Sequence, residues 1–413
     1  MTEKIYIDGF AGLNNFEMEL NRINVLIGPQ ASGKSVVAKL VYFFNEMLID
    51  YTKFILTEKE DELNEFVTSE FKQIFNLNLL KNSFIIIYER TNFRVKIIRK
   101  DVLNITFSKD AAYNIFAQKS KFKRELRYLP SDLDLTIFFE KNLEKIGDLT
   151  GIDLNFGNFF VPASRSFTSL IKNIKLMIAN QRILAAIDPY LLRFSATYQQ
   201  HRQQFRKDSK GLISKESNNL DFFIKSLINA NVEFINDEDY LVYENGRRVA
   251  LTDASSGEQA LVPILVYLKL LHQKGKQKLK TNIYFEEPEL HIFPKFQFTL
   301  MQLLMFMFNE CNVRLFVTTH SPYILSAFND FMQAAELEEI YKDDPKKLEQ
   351  LYKIVSKNEI IQPKDLNAYE IENGKARILD REHGLISGNI IDKVSEEGSI
   401  KFGELLDLLP ADA

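Results

Sequence analysis

Gly28-Pro-Gln-Ala-Ser-Gly-Lys-Ser35 fits the spacing G-x-x-x-x-G-K-[ST], and residues of these types at this spacing can cradle a triphosphate. The glycines let backbone N–H groups turn inward, and a helix starting at the end of the loop adds the positive end of its dipole. Gly28, Pro29, Gln30, Ala31, Ser32 and Gly33 are therefore candidate phosphate contacts. Lys34 would reach the β- and γ-phosphates, and Ser35 would hold Mg²⁺. The plainer reading, a glycine-rich turn that binds nothing, leaves Lys34-Ser35 without a packing reason. Lys34 is expected to be an exposed loop lysine, so that Lys34→Ala spares the fold.

Three further stretches carry groups that a phosphate loop needs. Asn282-Ile-Tyr-Phe-Glu-Glu-Pro-Glu-Leu-His291 is an apolar run ending in adjacent carboxylates. At such a strand tip Glu286 would support Mg²⁺ and Glu287 would polarise the attacking water. A surface charge pair is the alternative, but a buried strand seldom ends in two glutamates without a cation to share. Val313-Arg-Leu-Phe-Val317 is a second buried strand, followed by Thr318-Thr-His-Ser-Pro-Tyr323. Taken alone His320 is a loop histidine with a local partner; beside the other motifs it becomes a γ-phosphate contact. In Ser255-Ser256-Gly257-Glu258-Gln259 a helix cap is present whatever the function. The same free N–H and hydroxyl donors also suit an anion.

These groups need a framework that brings them to one edge. Ile23–Ile27 reads as a buried strand and Val36–Phe44 as the start of a helix over residues 34–50, so strand, loop and helix follow in the order a phosphate cradle requires. Strands are expected at 4–8 and 16–28, then a charged segment at Glu58–Glu62 and a helix to residue 80. The runs Phe84–Tyr88, Phe93–Ile98 and Val102–Phe107 alternate as an antiparallel sheet does. Residues 110–147 read as exposed helix with a basic run at Lys119–Arg124. Phe159–Arg165 reads as a strand entering a polar loop. Residues 167–230 read as mostly helical, with Ile171, Ile174, Met177 and Ile178 as a stripe and the polar section Gln199–Arg206 as a short paired-helix protrusion. Val232–Ile235 and Tyr240–Tyr243 form a hairpin with a third strand after Asn245-Gly246. From 253 to 329 helices and strands alternate as in a parallel α/β sheet. The tail, 330–413, reads as a helix, strands at 366–371 and 374–379, and a last helix at 400–409.

Composition sets bounds. The 413 residues suit two or three lobes, with 46% hydrophobic and 26% charged residues in an ordinary globular balance. A net charge of −4 argues against coating nucleic acid, since no global positive field attracts phosphates. A single cysteine, Cys311, excludes an internal disulfide and a cysteine-based zinc site, which points to a cytoplasmic protein. The N-terminus lacks a signal-peptide core, and no apolar run reaches the roughly 18 residues of a membrane span.

The order of the motifs resembles the ABC-type ATPase heads of the SMC and RecF kind. Their wording is most similar to the bacterial AAA/ABC ATPases related to OLD proteins, many of them parts of anti-phage defence systems. Phe10-Ala-Gly-Leu13 and Pro162-Ala-Ser-Arg165 match that group as well. The likeness covers residues 1–50 and 155–330 well, 50–150 loosely, and the tail in general pattern. It implies an ABC-type P-loop ATPase head over 1–330, with a mixed sheet, an antiparallel β lobe and a helical insertion at 167–230, completed by a C-terminal extension over 331–413. It implies ATP and Mg²⁺ as cofactors and slow hydrolysis through Glu287 and His320. It further implies that Ser255, Ser256, Gly257, Glu258 and Gln259 close over the γ-phosphate held by a second copy, so that ATP drives dimerisation.

The chain departs from this pattern in three places. Glu286 stands where most ABC ATPases have Asp. Arg165, with Ser164, takes the place of the glutamine that links the lobes, and counts as a nucleotide contact. The Toprim nuclease of OLD proteins, with its Glu and Asp-x-Asp, is expected to be missing, since the stretch after 330 is too short for it and Asp380-Arg-Glu382 reads as a solvated turn. The leading expectation is a sensor or regulatory ATPase of a multi-protein defence complex, controlling a separately encoded effector such as a Toprim or HNH nuclease. The alternatives are a RecF-like DNA repair or maintenance ATPase, reading DNA through Lys119–Arg124 and Arg202–Arg206, and a non-hydrolysing, ATP-clamped scaffold.

Overall fold

A computed structural model of the chain describes residues 3–56, 60–75, 83–91, 93–108, 147, 156–169, 187–207, 212–213, 219–235, 238–273, 280–371, 375–380 and 384–387. Outside them lie the basic run Lys119–Arg124, the stripe 171–178, the expected helix at 400–409, Glu382 and nearly all of 110–147.

Three larger sheets, beside a two-stranded antiparallel pair of Leu379–Asp380 with Leu385–Ile386, organise the described residues. β1 (Glu3–Asp8), β2 (Phe16–Leu20), β4 (Phe84–Arg90), β5 (Phe93–Arg99) and β6 (Leu103–Phe107) form an antiparallel sheet in the order β2-β1-β4-β5-β6, with β3 (Ile23–Ile27) left for the central sheet. In β4 the alternation buries Phe84, Ile86, Tyr88 and Arg90 on one face, as a half-covered sheet requires. The central sheet adds β7 (Phe156–Val161), β11 (Lys280–Glu286), β12 (Val313–Thr319), β13 (Leu366–Ile371) and β14 (Lys375–Arg377), in the order β14-β13-β3-β12-β11-β7. Every pairing in it is parallel except β13–β14. A small meander, β8 (Ala230–Ile235), β9 (Glu238–Tyr243) and β10 (Arg248–Ala250), stands apart.

The central sheet is covered on both faces, which is why its strands read as continuous apolar runs. Tyr284, Phe316 and Leu26 join one core with the helix Lys34–Leu56 and the antiparallel sheet. Their neighbours Ile283, Phe285, Val317 and Val25 join a second core with the helices Pro189–Lys207, Ser256–Gln273, Pro294–Cys311 and Pro322–Ile340. The α/β reading with a mixed sheet and an antiparallel lobe therefore holds. All four parallel strands that carry site residues deliver their carboxyl ends to one edge, where ligands of open α/β sheets collect.

Several boundaries differ from the sequence reading. The first helix runs to Leu56 rather than residue 50, because Tyr51 packs on Phe93 and Phe107 and the Thr52 hydroxyl donates to the Leu48 carbonyl. Val102 is 79% exposed and falls outside β6. The tail starts with two helices, Pro322–Ile340 and Pro345–Ile354, separated where Asp344 caps the second by accepting from the N–H groups of Lys346 and Lys347. The section 199–206 is no protrusion: its helix buries Phe194, Tyr198 and Phe205 in the core. Arg202 is buried in an ion pair with Asp239, so it is not part of an exposed basic surface. Among the described residues no helix is long and apolar enough to cross a membrane, and Cys311 is buried and outside any disulfide.

Candidate functional site

β3 ends at Ile27 and the loop that follows packs on the turn Phe10–Leu13, whose ends exchange backbone hydrogen bonds. Gly33 has φ +99, and a Cβ there would meet the Leu13 side chain at 2.8 Å, so glycine is required on both counts. Lys34 is not the exposed loop lysine expected: it is 4% exposed. Its Nζ donates to the carbonyls of Gly28 (2.8 Å) and Pro29 (2.7 Å), with Ser32 Oγ at 3.5 Å. Burial pulls its pKa down, while Glu287 and Glu289 act to keep it charged. Pro29, Gln30 and Ala31 are exposed at the rim.

β11 delivers Glu286 beside the loop. It is 3% exposed; its Oε2 accepts from the Ala163 N–H at 3.2 Å, and its Oε1 is buried with no hydrogen-bond partner. Burial raises its pKa; Lys39, the Ala163 N–H and the Ser35 hydroxyl oppose that. A buried, half-satisfied carboxylate beside a serine hydroxyl is a donor set that suits a hard cation. Ser35 and Glu286 thus fit Mg²⁺ as the sequence expects. Lys39, one turn along the same helix, is ion-paired to Asp188, which also accepts from the Tyr190 N–H at 2.8 Å.

Glu287 sits in a left-handed turn at φ +44, a conformation that costs a non-glycine residue energy and persists only when the surroundings impose it. Its N–H donates to the Thr318 carbonyl at 2.8 Å, and its Oε1 lies 3.5 Å from His320 Nε2. The parallel pairing of β11 with β12, Glu286 opposite Thr318, brings the two catalytic candidates face to face.

Arg165 overturns one expectation. It is fully buried, and its guanidinium donates to the backbone carbonyls of Glu286 (3.0 Å), Glu287 (3.0 Å), Pro288 (3.2 Å) and Leu290 (3.4 Å). Desolvation lowers its pKa to about 10, against the pull of Glu289, Glu287 and Glu286. A group so enclosed has no surface to offer a nucleotide. It is a brace for the glutamate turn.

The helix Ser256–Gln273 starts with a capping box. Glu258 accepts from the Ser255 N–H (3.0 Å) and hydroxyl (2.7 Å), and Ser255 Oγ accepts from the Glu258 N–H at 3.4 Å. Glu258 also accepts from the Tyr243 hydroxyl. Gln259 donates to the carbonyls of Thr252 and Ala254 and accepts from Ser169. Glu258 and Gln259, expected as nucleotide contacts, are therefore committed to holding this loop. Ser255 and Ser256 are exposed. Gly257 abuts the glutamate turn, since a Cβ there would meet the His291 carbonyl at 2.7 Å.

Glu289 carries no signal in the sequence beyond being one more acid in its motif. Its Oε1 accepts from the His320 N–H (2.6 Å) and the Thr319 hydroxyl (2.9 Å), while its Oε2 is buried without a partner. Ser321 and Gln297 add a second latch, hydroxyl to amide oxygen at 2.8 Å. The first follows only from the adjacency of β11 and β12, the second from where the helix Pro294–Cys311 packs.

A model of the family described as "AAA domain, putative AbiEii toxin, Type IV TA system" matches residues 23–326. No curated protein matches the chain by sequence. Among solved structures, the SMC head domain from Thermotoga maritima is 13% identical with a TM-score of 0.36, covering 91% of this chain and 98% of that one. The Smc head from Pyrococcus furiosus bound to the C-terminal domain of ScpA is 12% identical with a TM-score of 0.36, covering 96% and 98%. The recombination mediator RecF is 10% identical with a TM-score of 0.35, covering 92% and 98%. Likenesses this distant carry no argument about activity or partners.

Proposed function

The chain belongs to this AAA-domain family, and we propose that it is an ABC-type ATPase that binds and hydrolyses ATP, with the edge formed by β3, β11 and β12 as its nucleotide site. The observation that carries the reading is the convergence of Lys34, Ser35, Glu286, Glu287 and His320, with Glu287 and His320 3.5 Å apart. Gly28–Gly33 offer backbone N–H groups to the phosphates, and Lys34 turns its ammonium from the loop carbonyls to the phosphate oxygens. Ser35 and Glu286 would hold Mg²⁺, which in such a site offsets charge on the β- and γ-phosphates. Glu287 orients and deprotonates the attacking water, and His320 hydrogen-bonds the γ-phosphate.

Ser256 is exposed beside Gly257, which supports a role on a second copy: the two close over the γ-phosphate held there, and ATP becomes the glue of a homodimer. The finer reading is a cytoplasmic regulatory ATPase of an anti-phage defence complex, acting on a separately encoded effector such as a Toprim or HNH nuclease. Its support is the wording of the motifs and the family's description as a toxin of a type IV toxin–antitoxin system. ATP turnover by the purified protein, compared with its Glu287→Gln variant, tests the ATPase. Loss of turnover with closed dimers accumulating is expected; unchanged behaviour favours an ATP-clamped scaffold. Co-purification from the native operon tests the effector: recovery of the ATPase alone, with and without ATP, contradicts the complex.

A further inference from the structure

The glutamate turn is held from two sides by residues that touch neither each other's targets nor the loop's phosphate seat. From beneath, Arg165 gathers four carbonyls of the one segment 286–290, its Nη1 reaching that of Glu286 and its Nη2 those of Glu287, Pro288 and Leu290. Its ring-facing side rests on Phe285, 4.9 Å from the centroid. From the side, Glu289 reaches across to β12 and accepts from the His320 N–H and the Thr319 hydroxyl. Between these two holds sits the left-handed Glu287. Its φ is one that an isolated chain would leave, so something must impose it.

Resting on the ATPase reading, we infer that Arg165 and Glu289 are positioning residues for hydrolysis: together they hold Glu287 and His320 face to face and act on turnover rather than on nucleotide binding. A planar guanidinium with five donors can satisfy several carbonyls that all point inward, whereas a lysine ammonium offers three donors at one point. Glu289 fixes the backbone of His320 rather than its ring, and so sets where the ring can reach.

The segment that carries Arg165 is also tied to the rest of the site. The Ala163 N–H donates to Glu286 Oε2. The Ser169 hydroxyl donates to Gln259 in the helix whose N-terminus displays Ser256, and the Ser195 hydroxyl donates to Thr168. One short stretch, Ala163–Ser169, therefore touches the cation ligand, the catalytic turn and the outward-facing cap. Displacing it disturbs the geometry of the catalytic turn.

The test uses the whole protein and its Arg165→Lys and Glu289→Ala variants. Mg²⁺-ATP affinity is read with a fluorescent ATP analogue, turnover with a phosphate-release assay, and hydrogen exchange at residues 286–292 by mass spectrometry. For each variant turnover falls by about 100-fold, the scale of a 1 Å misplacement, while nucleotide affinity stays at the parent value. Exchange rises at the amides of Glu287, Leu290 and Ile292, whose hydrogen bonds define the turn, and not in β3. Parent-like turnover in a folded variant overturns the inference. So does a loss of affinity in step with turnover, which makes these residues ligand contacts. If Arg165→Lys does not fold, the partly exposed Glu289 carries the same test through Glu289→Ala, which removes the acceptor of both bonds. A parent protein that does not hydrolyse ATP brings down the ATPase reading itself, and this inference with it.

Discussion

At the phosphate-loop side of the site the working groups are buried and tied down. Lys34 is 4% exposed and Glu286 3%, and the turn that carries Glu287 is braced by a fully buried arginine. At the N-terminus of the helix Ser256–Gln273 the opposite holds. Ser255 and Ser256 are exposed, and the groups behind them, Glu258 and Gln259, are spent on holding the loop in shape. The first side is assembled within one chain. The second is a displayed surface, held in shape from behind. Pre-ordering both means that association pays little to order either.

This contrast can be broken from its buried side first. Lys34→Ala removes the only lysine in the cradle and should abolish measurable ATP binding and turnover, read by calorimetry and phosphate release. Unlike an exposed lysine it also leaves the Gly28 and Pro29 carbonyls without their donor, so thermal unfolding should register a loss of about 1–2 kcal/mol. Parent-like hydrolysis by this variant ends the site assignment. Next in size, Glu287→Gln should cut turnover by about 10²–10⁴-fold and leave ATP affinity intact, with closed dimers visible in light scattering.

The exposed side gives smaller effects on the single chain. Ser256→Arg changes an exposed position, so stability and ATP affinity of the monomer should move little, within about 0.5 kcal/mol. Turnover of this variant alone should nevertheless vanish, because its cap no longer brings the Ser256 hydroxyl to the γ-phosphate held by a partner. Glu258→Ala removes half of the capping box and should cost about 1 kcal/mol in thermal unfolding; a larger loss means the cap also supports the glutamate turn through Gly257.

The buried side was legible in the sequence for a physical reason: a strand–loop–helix turn and an apolar strand ending in carboxylates are local patterns, each contained in a few consecutive residues. Strand, loop and helix around Gly28–Ser35 and the apolar run ending at Glu286 stand where expected. What escaped was non-local. Arg165 binds carbonyls more than a hundred residues away, and its type suggested a ligand contact because its burial could not be seen. Glu289 meets His320 only because β11 and β12 are neighbours. Asp188 meets Lys39 across 149 residues. The first helix outran its expected end because Tyr51 has aromatic partners in a distant hairpin, and propensity is blind to that.

The central claim is that the displayed cap completes the buried cradle of a second copy, and mixing two dead variants tests it most directly. Lys34→Ala and Ser256→Arg are each expected to be inactive. Combined in equal amounts, half of the dimers are mixed, and each mixed dimer has one intact cradle facing one intact cap. Turnover should then return to about a quarter of the parent value. A mixture as inactive as its parts, or full activity in Ser256→Arg alone, contradicts the composite site.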